Sequence, residues 1–205
     1  GVTGGTTVNV NQIAGNAAAV VATTSGLVTV VGNASTTDVT VTSSTAATAA
    51  AAVVGRANGT VTIIDGNAAT TASDTITTLT LSNYAASTIT SNVLGTVNLT
   101  GAATASGALQ LNITAADASV RATTLNLNMA GGSVGAITGT QADLYTTVNV
   151  ASAAATTIAD QSFAAATTLN VSGAGVTTFT ANTGLAAATS INSTGAGLTL
   201  GTALA

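Results

Sequence analysis

One short phrase, rewritten many times, constrains this chain more than any other feature. "TTLNLN" begins at Thr123, "TTVNVA" at Thr146, "TTLNVS" at Thr167 and "TSINST" at Thr189, at intervals of 23, 21 and 22 residues. Shorter echoes stand between them: "TTIAD" at Thr156, "TTFTA" at Thr177 and "LTLG" at Leu198. Upstream the phrase is looser, as "TTVNV" at Thr6, "DVTVT" at Asp38, "TVTII" at Thr60, "TTLTL" at Thr77 and "TVNLT" at Thr96. The gap from Thr96 to Thr123 is too wide for one regular turn, so "LQLNIT" at Leu109 belongs to a distorted or longer winding. Self-similarity at such a period marks a repeat architecture in which each unit stacks on the next.

Each echo alternates apolar and polar positions, as in Leu125-Asn126-Leu127 and Val148-Asn149-Val150. That is the period of a strand with one buried face. Gly131-Gly132 and Gly173-Ala174-Gly175 supply turns, and the absence of Pro leaves every backbone N–H free to join a ladder. The expected fold is all-β: a parallel β-solenoid, or β-helix, of roughly 20–23 residues per coil, with residues 1–205 forming a single solenoid segment. About ten coils at a spacing of about 4.8 Å predict a rod near 50 Å long.

Hydrophobic residues make up 46% of the chain, but there are only two Phe, two Tyr and no Trp. The predicted core is therefore thin, built of Val, Leu, Ile and Ala. In the window around Thr167, we expect Leu169, Val171, Val176 and Phe179 to face inward or cap the core. Thr167, Asn170, Thr178 and Thr180 are expected outward or at corners, with Asn98, Asn126, Asn149 and Asn170 stacking as a ladder. The stretch "TAATAAAAVV" at 45–54 has helical propensity, yet it lacks the charged face of a surface helix, so a tight coil of small residues is preferred.

Charge excludes whole classes of function. The chain has six Asp, no Glu, no Lys and only Arg56 and Arg121 as cations. Two cations cannot form the basic stripe that phosphate backbones require, which excludes nucleic acid, and anionic membrane surfaces fall for the same reason. No apolar run reaches the roughly 20 residues that span a bilayer, so direct membrane insertion is not expected. Without Cys there are no disulfides and no thiolate metal sites. Without His, Lys, Cys or Glu, only pairs of Asp could do acid–base chemistry, and the six Asp fall on different coils. The chain is not expected to be an enzyme. No secretory signal and no initiator Met stand at the start, as for a piece of a longer chain.

The stretch "GNASTTDVTVTSSTAATAAAAVVGRANGTVTIIDGNAATTAS" (32–73) resembles the middle of the Caulobacter-type paracrystalline surface-layer protein. "LGTVNLTGAATASGALQLNIT", "ATTLNVSGAGVTTFT" and "TSINSTGAGLTLG" are similar to it in order and spacing, and the resemblance covers nearly the whole chain. What it implies is a large, type-I-secreted protein on the outer surface of a Gram-negative cell. Such a protein is anchored to lipopolysaccharide through another region and assembles with its own copies into a two-dimensional lattice held by calcium. This chain would correspond to part of the lattice-forming region. It lacks the Gly-Gly-x-Gly-x-Asp nonapeptides of the calcium-loading part of such proteins.

Calcium takes several oxygen ligands per ion, and the metal candidates here are Asp65, Asp143, Asp74 and Asp160, each at a turn. Asp65 and Asp143 also fall where the resemblance implies acidic residues. A turn Asp equally caps its own backbone. Arg56 and Arg121, flanked by small residues, are candidates for pairing with an Asp across coils or at a subunit contact, or for plain solvated surface. Three functions follow: a self-assembling segment of a bacterial surface layer, a solenoid module of a large adhesin, and an ice-binding rod bearing ladders of Thr.

Overall fold

Alternation decides which way each side chain points. In Thr124–Met129 it buries Leu125, Leu127 and Met129 and leaves Asn126 and Asn128 on the opposite side. The computed structural model describes residues 2–14, 23–45, 56–100, 107–114, 120–181 and 184–201. In chain order the strands are β1 (Val2–Thr3), β2 (Thr7–Ala14), β3 (Thr23–Thr24), β4 (Val28–Val31), β5 (Asp38–Thr45), β6 (Arg56–Ala57) and β7 (Val61–Ile64). They continue as β8 (Thr78–Ser82), β9 (Ser87–Thr90), β10 (Thr96–Thr100), β11 (Leu109–Asn112), β12 (Thr124–Met129) and β13 (Gly132–Thr138). After a 3-10 turn at Ala142–Leu144 come β14 (Thr147–Ser152), β15 (Thr156–Gln161), β16 (Thr168–Ser172), β17 (Thr177–Phe179), β18 (Ser190–Ser193) and β19 (Leu198–Leu200). Most of the Ala-rich stretch, residues 46–55, lies outside the described residues.

Two sheets form. One has nine strands in the order β1-β4-β7-β9-β11-β13-β15-β17-β19, and the other eight in the order β2-β5-β8-β10-β12-β14-β16-β18. Strands β3 and β6 pair separately. Among the described residues every pairing is parallel. The chain therefore winds from one sheet to the other and back, and the fold is a parallel β-solenoid. The long phrases of the repeat occupy the eight-stranded sheet and the short echoes at Thr156, Thr177 and Leu198 the nine-stranded one.

The expected period holds only in the second half. There Thr124 faces Thr147, Thr147 faces Thr168 and Thr168 faces Ser190, steps of 23, 21 and 22 residues. Earlier, Thr7 faces Asp38, Asp38 faces Thr78, Thr78 faces Thr96 and Thr96 faces Asn126, steps of 31, 40, 18 and 30. The longer windings leave eight or nine levels rather than ten, a rod of roughly 40 Å at the ladder spacing. Leu109–Asn112 does sit in a longer winding, as β11, across the core from β10 and β12.

One apolar cluster runs along the whole stack. Val39, Leu79, Val97, Leu127, Val150 and Val171 lie one above another in the eight-stranded sheet, all buried. Val30, Ile63, Ile89 and Leu111 do the same across from them. Each such side chain contributes about 1.5–3 kcal/mol when fully buried.

Aromatic residues beyond Phe179, which is expected inward, add to the predicted core of Val, Leu, Ile and Ala. Tyr84, Tyr145, Phe163 and Phe179 are all fully buried, and the first three lie in turns, where they plug corners of the coil. Val176 is a correction. It is 38% exposed, because Thr177 and Phe179 take the inward positions of β17 and alternation turns residue 176 outward. A buried hydrogen bond of 2.7 Å between the hydroxyls of Thr177 and Ser152 makes that inward Thr tolerable. Leu169, Val171 and Phe179 are buried as expected.

Candidate functional site

Polar side chains gather at the corner where the chain leaves the nine-stranded sheet. Asp65 follows β7 directly and is 1% exposed. Its Oδ2 accepts the N–H groups of Thr75 at 2.7 Å and Ile76 at 2.6 Å, and its Oδ1 accepts that of Asn67 at 2.9 Å. The carboxylate thereby closes the excursion from 65 to 76. Asp74, also buried, accepts the N–H of Asn92 at 2.7 Å. One level on, Asn92 Oδ1 accepts the N–H of Thr114 at 2.9 Å, and the Ser91 hydroxyl donates to the Ile76 carbonyl at 2.8 Å.

The other two candidates lie elsewhere. Asp143, in the 3-10 turn, accepts a short hydrogen bond from the Ser162 hydroxyl. Asp160 is half-buried on β15, in register with Ala136, and accepts the N–H of Gln161 at 2.8 Å. So Asp65 and Asp74 share one corner, and Asp143 and Asp160 do not join them there. Among the described residues no three His, Cys, Asp or Glu side chains are grouped to hold a metal. Calcium needs six to eight oxygens. The three N–H donors on Asp65 fit a turn clamp better than an ion. Arg121 is exposed, and the side chains of Arg56 and Asp117 lie outside the described residues.

A second polar cluster was not visible in the sequence. The residues two places before the strands of the eight-stranded sheet stack in a corner: Ile76, Leu94, Tyr145 and Ala166 are buried there, with Ala122 and Ala188 packed against the core. Because Ala122 is small, Tyr145 reaches past its level and donates to the carbonyl of Leu94 at 2.6 Å. Gln141, bonded to the same phenol, donates its Nε2 to the Ala122 carbonyl at 3.0 Å. Burial pushes the Tyr145 phenol well above its ordinary pKa, with the Gln141 hydrogen bond opposing.

The outer face of the eight-stranded sheet carries the ladder. Asn149 Nδ2 donates to Asn126 Oδ1, Asn170 to Asn149 and Asn192 to Asn170, each at 2.8 Å. Asn98 is not part of this column. The step of 30 residues between β10 and β12 shifts the register, so Asn98 accepts instead from Asn128 at 2.8 Å. Beside the amides, the hydroxyls of Thr146, Thr167 and Thr189 each donate to the threonine carbonyl one level below, at 3.2 Å, 3.3 Å and 3.3 Å. A groove of about 570 Å³ crosses Asn98, Asn128, Ala151 and Gly173 on this face.

Uncharged columns of Asn and Thr thus line the outer face, and the Asp65 carboxylate is held by three backbone N–H groups. No protein-family model matches the chain, and no curated protein sequence matches it significantly.

Proposed function

We propose that this chain is a structural, self-assembling segment of a bacterial surface layer, contributing to a two-dimensional lattice outside the cell. The observation that supports it best is the regular neutral face of the solenoid, with Thr and Asn columns over four levels from β12 to β18 and no charge among them. Natural edge strands are usually guarded by Lys, Pro or bulges, and this chain has neither Lys nor Pro. With a net charge of −4 spread over the rod, self-repulsion is small. Such a surface is a liability for a dispersed protein and useful in a coat. In this reading calcium acts between chains, with Asp143 or Asp160 of one copy completed by oxygens of another, and lipopolysaccharide is held by another part of the secreted parent.

The test is electron microscopy of the calcium-loaded protein that carries this segment. A periodic sheet that is lost when residues 1–205 are deleted is the expected result; a sheet that forms equally well without them sinks the proposal.

Ice binding has one observation in its favour. Thr124, Thr147, Thr168 and Ser190 stack two residues before Asn126, Asn149, Asn170 and Asn192. That array repeats at about 4.8 Å along the rod and roughly 6.8 Å across it. Thermal hysteresis at micromolar protein would select this reading over the coat.

A further inference from the structure

The outer face of the eight-stranded sheet has the makeup of a surface that mates with its own kind. From β8 to β18 its outward positions hold only Thr, Asn, Ser and Ala. Its strands are parallel and in register, and an amide ladder climbs it. Stacked sheets of this kind, with Asn ladders and short side chains, pair face to face as steric zippers from which water is expelled. Among the described residues charge is kept elsewhere. Asp65 and Asp74 share a corner, Asp143 lies in the 3-10 turn, Asp160 is on the nine-stranded sheet and Arg121 precedes β12. The exception is Asp38, at the start of β5.

We propose that a second copy of this chain packs on this face, rod antiparallel to rod, about a two-fold axis that runs along the strands between β10 and β12. The proposal rests on the surface-layer reading and deepens it, by naming the face through which copies touch.

Three observations carry this. First, one outward column runs Asp38, Thr78, Thr96, Asn126, Asn149 and Asn170. It changes from carboxylate and hydroxyl to amide between β10 and β12. A two-fold axis at that change sets Thr96 against Asn126 of the second copy, Thr78 against its Asn149 and Asp38 against its Asn170. Second, Asn149 and Asn170 each spend one N–H on the level below, which leaves the other N–H for an acceptor across the contact. The Thr78 hydroxyl and the Asp38 carboxylate are such acceptors. Rods packed parallel would instead set the level of Asp38 against itself, a like-charge contact. Third, the face from β5 to β18 measures about 30 Å by 17 Å at the ladder and strand spacings. A pair therefore buries on the order of 1,000 Å² in total, the lower bound for a specific contact and the size of a joint that works within an array.

The test is sedimentation of the 205-residue chain, without calcium, up to millimolar concentration. Average mass should rise toward that of a dimer. Ala151→Asp puts an unpaired carboxylate into the contact and should raise the concentration needed for association at least about tenfold. In the proposed register Ala151 faces Thr80 of the second copy, so adding Thr80→Lys to the same chain should restore association. Within one chain the two positions are three levels apart, roughly 14 Å, so the rescue reads a contact between copies. Both positions face outward, and circular dichroism checks that each variant is folded. Mass that stays monomeric throughout overturns the proposal. So does association that Ala151→Asp leaves unchanged, or a loss that Thr80→Lys does not restore. A periodic sheet of the calcium-loaded parent alongside any of these results would refute the face and leave the surface-layer reading standing.

Discussion

At the scale of the residue, Tyr145 shows how an uneven corner is made to fit. Its hydroxyl crosses the level of Ala122 to reach Leu94, so three windings share one side chain. Ala122→Leu fills that passage and should destabilise the fold by about 1–3 kcal/mol, as overpacking does, measured by denaturant unfolding. Tyr145→Phe keeps the ring and loses the bond, costing about 1 kcal/mol. The phenol also sets a pH dependence. Its pKa in the fold is raised above the value of about 10 in the unfolded chain. Its contribution is complete below pH ~10, and stability declines as pH rises above that point, because only the unfolded chain then releases the proton. Alkaline melting curves should show this decline, and Tyr145→Phe should flatten it. Asp65 acts as a clamp, so Asp65→Asn, which substitutes a neutral amide for the acceptor of three N–H groups, should cost about 1–3 kcal/mol in the same assay.

At the scale of the element, the amide ladder makes a graded prediction. Asn149→Ala removes two ladder bonds and Asn192→Ala one, so the first should lose about twice as much stability, on the order of 1–2 kcal/mol against roughly half that. Thermal melts of the two variants side by side decide it. Strands were the legible part of this molecule. "TTLNLN", "TTVNVA" and "TTLNVS" alternate cleanly, and alternation is what a half-buried strand imposes. Turns were less legible. Asn98 belongs to another column because register depends on the residues between strands, and the step from Thr96 to its partner Asn126 is 30 residues rather than 21 to 23. Tyr84, Tyr145 and Phe163 sit outside the alternating runs, so nothing in the local pattern marked them as core. Asp65 and Asp143 do lie at turns, whereas Asp160 lies within β15, and spacing alone does not tell a backbone clamp from an ion ligand. Asp65 shows the difference only once Thr75 and Ile76 are seen beside it.

At the scale of the whole molecule, stability is the sum of windings and the contacts between neighbours. A residue inserted inside β14 should turn Val150 outward and expose the seam, whereas one inserted at the exposed corner Ala153–Ala155 should leave the melting temperature nearly unchanged. Circular dichroism on the two insertion variants reads the contrast directly. The same tolerance is already written into the uneven steps between strands, from 18 residues at Thr78 to 40 at Asp38, across ladders that never break parallel pairing. Surplus length is thus absorbed at the rim of each winding, where the outline of the rod can swell or shrink, while the interior keeps one gauge.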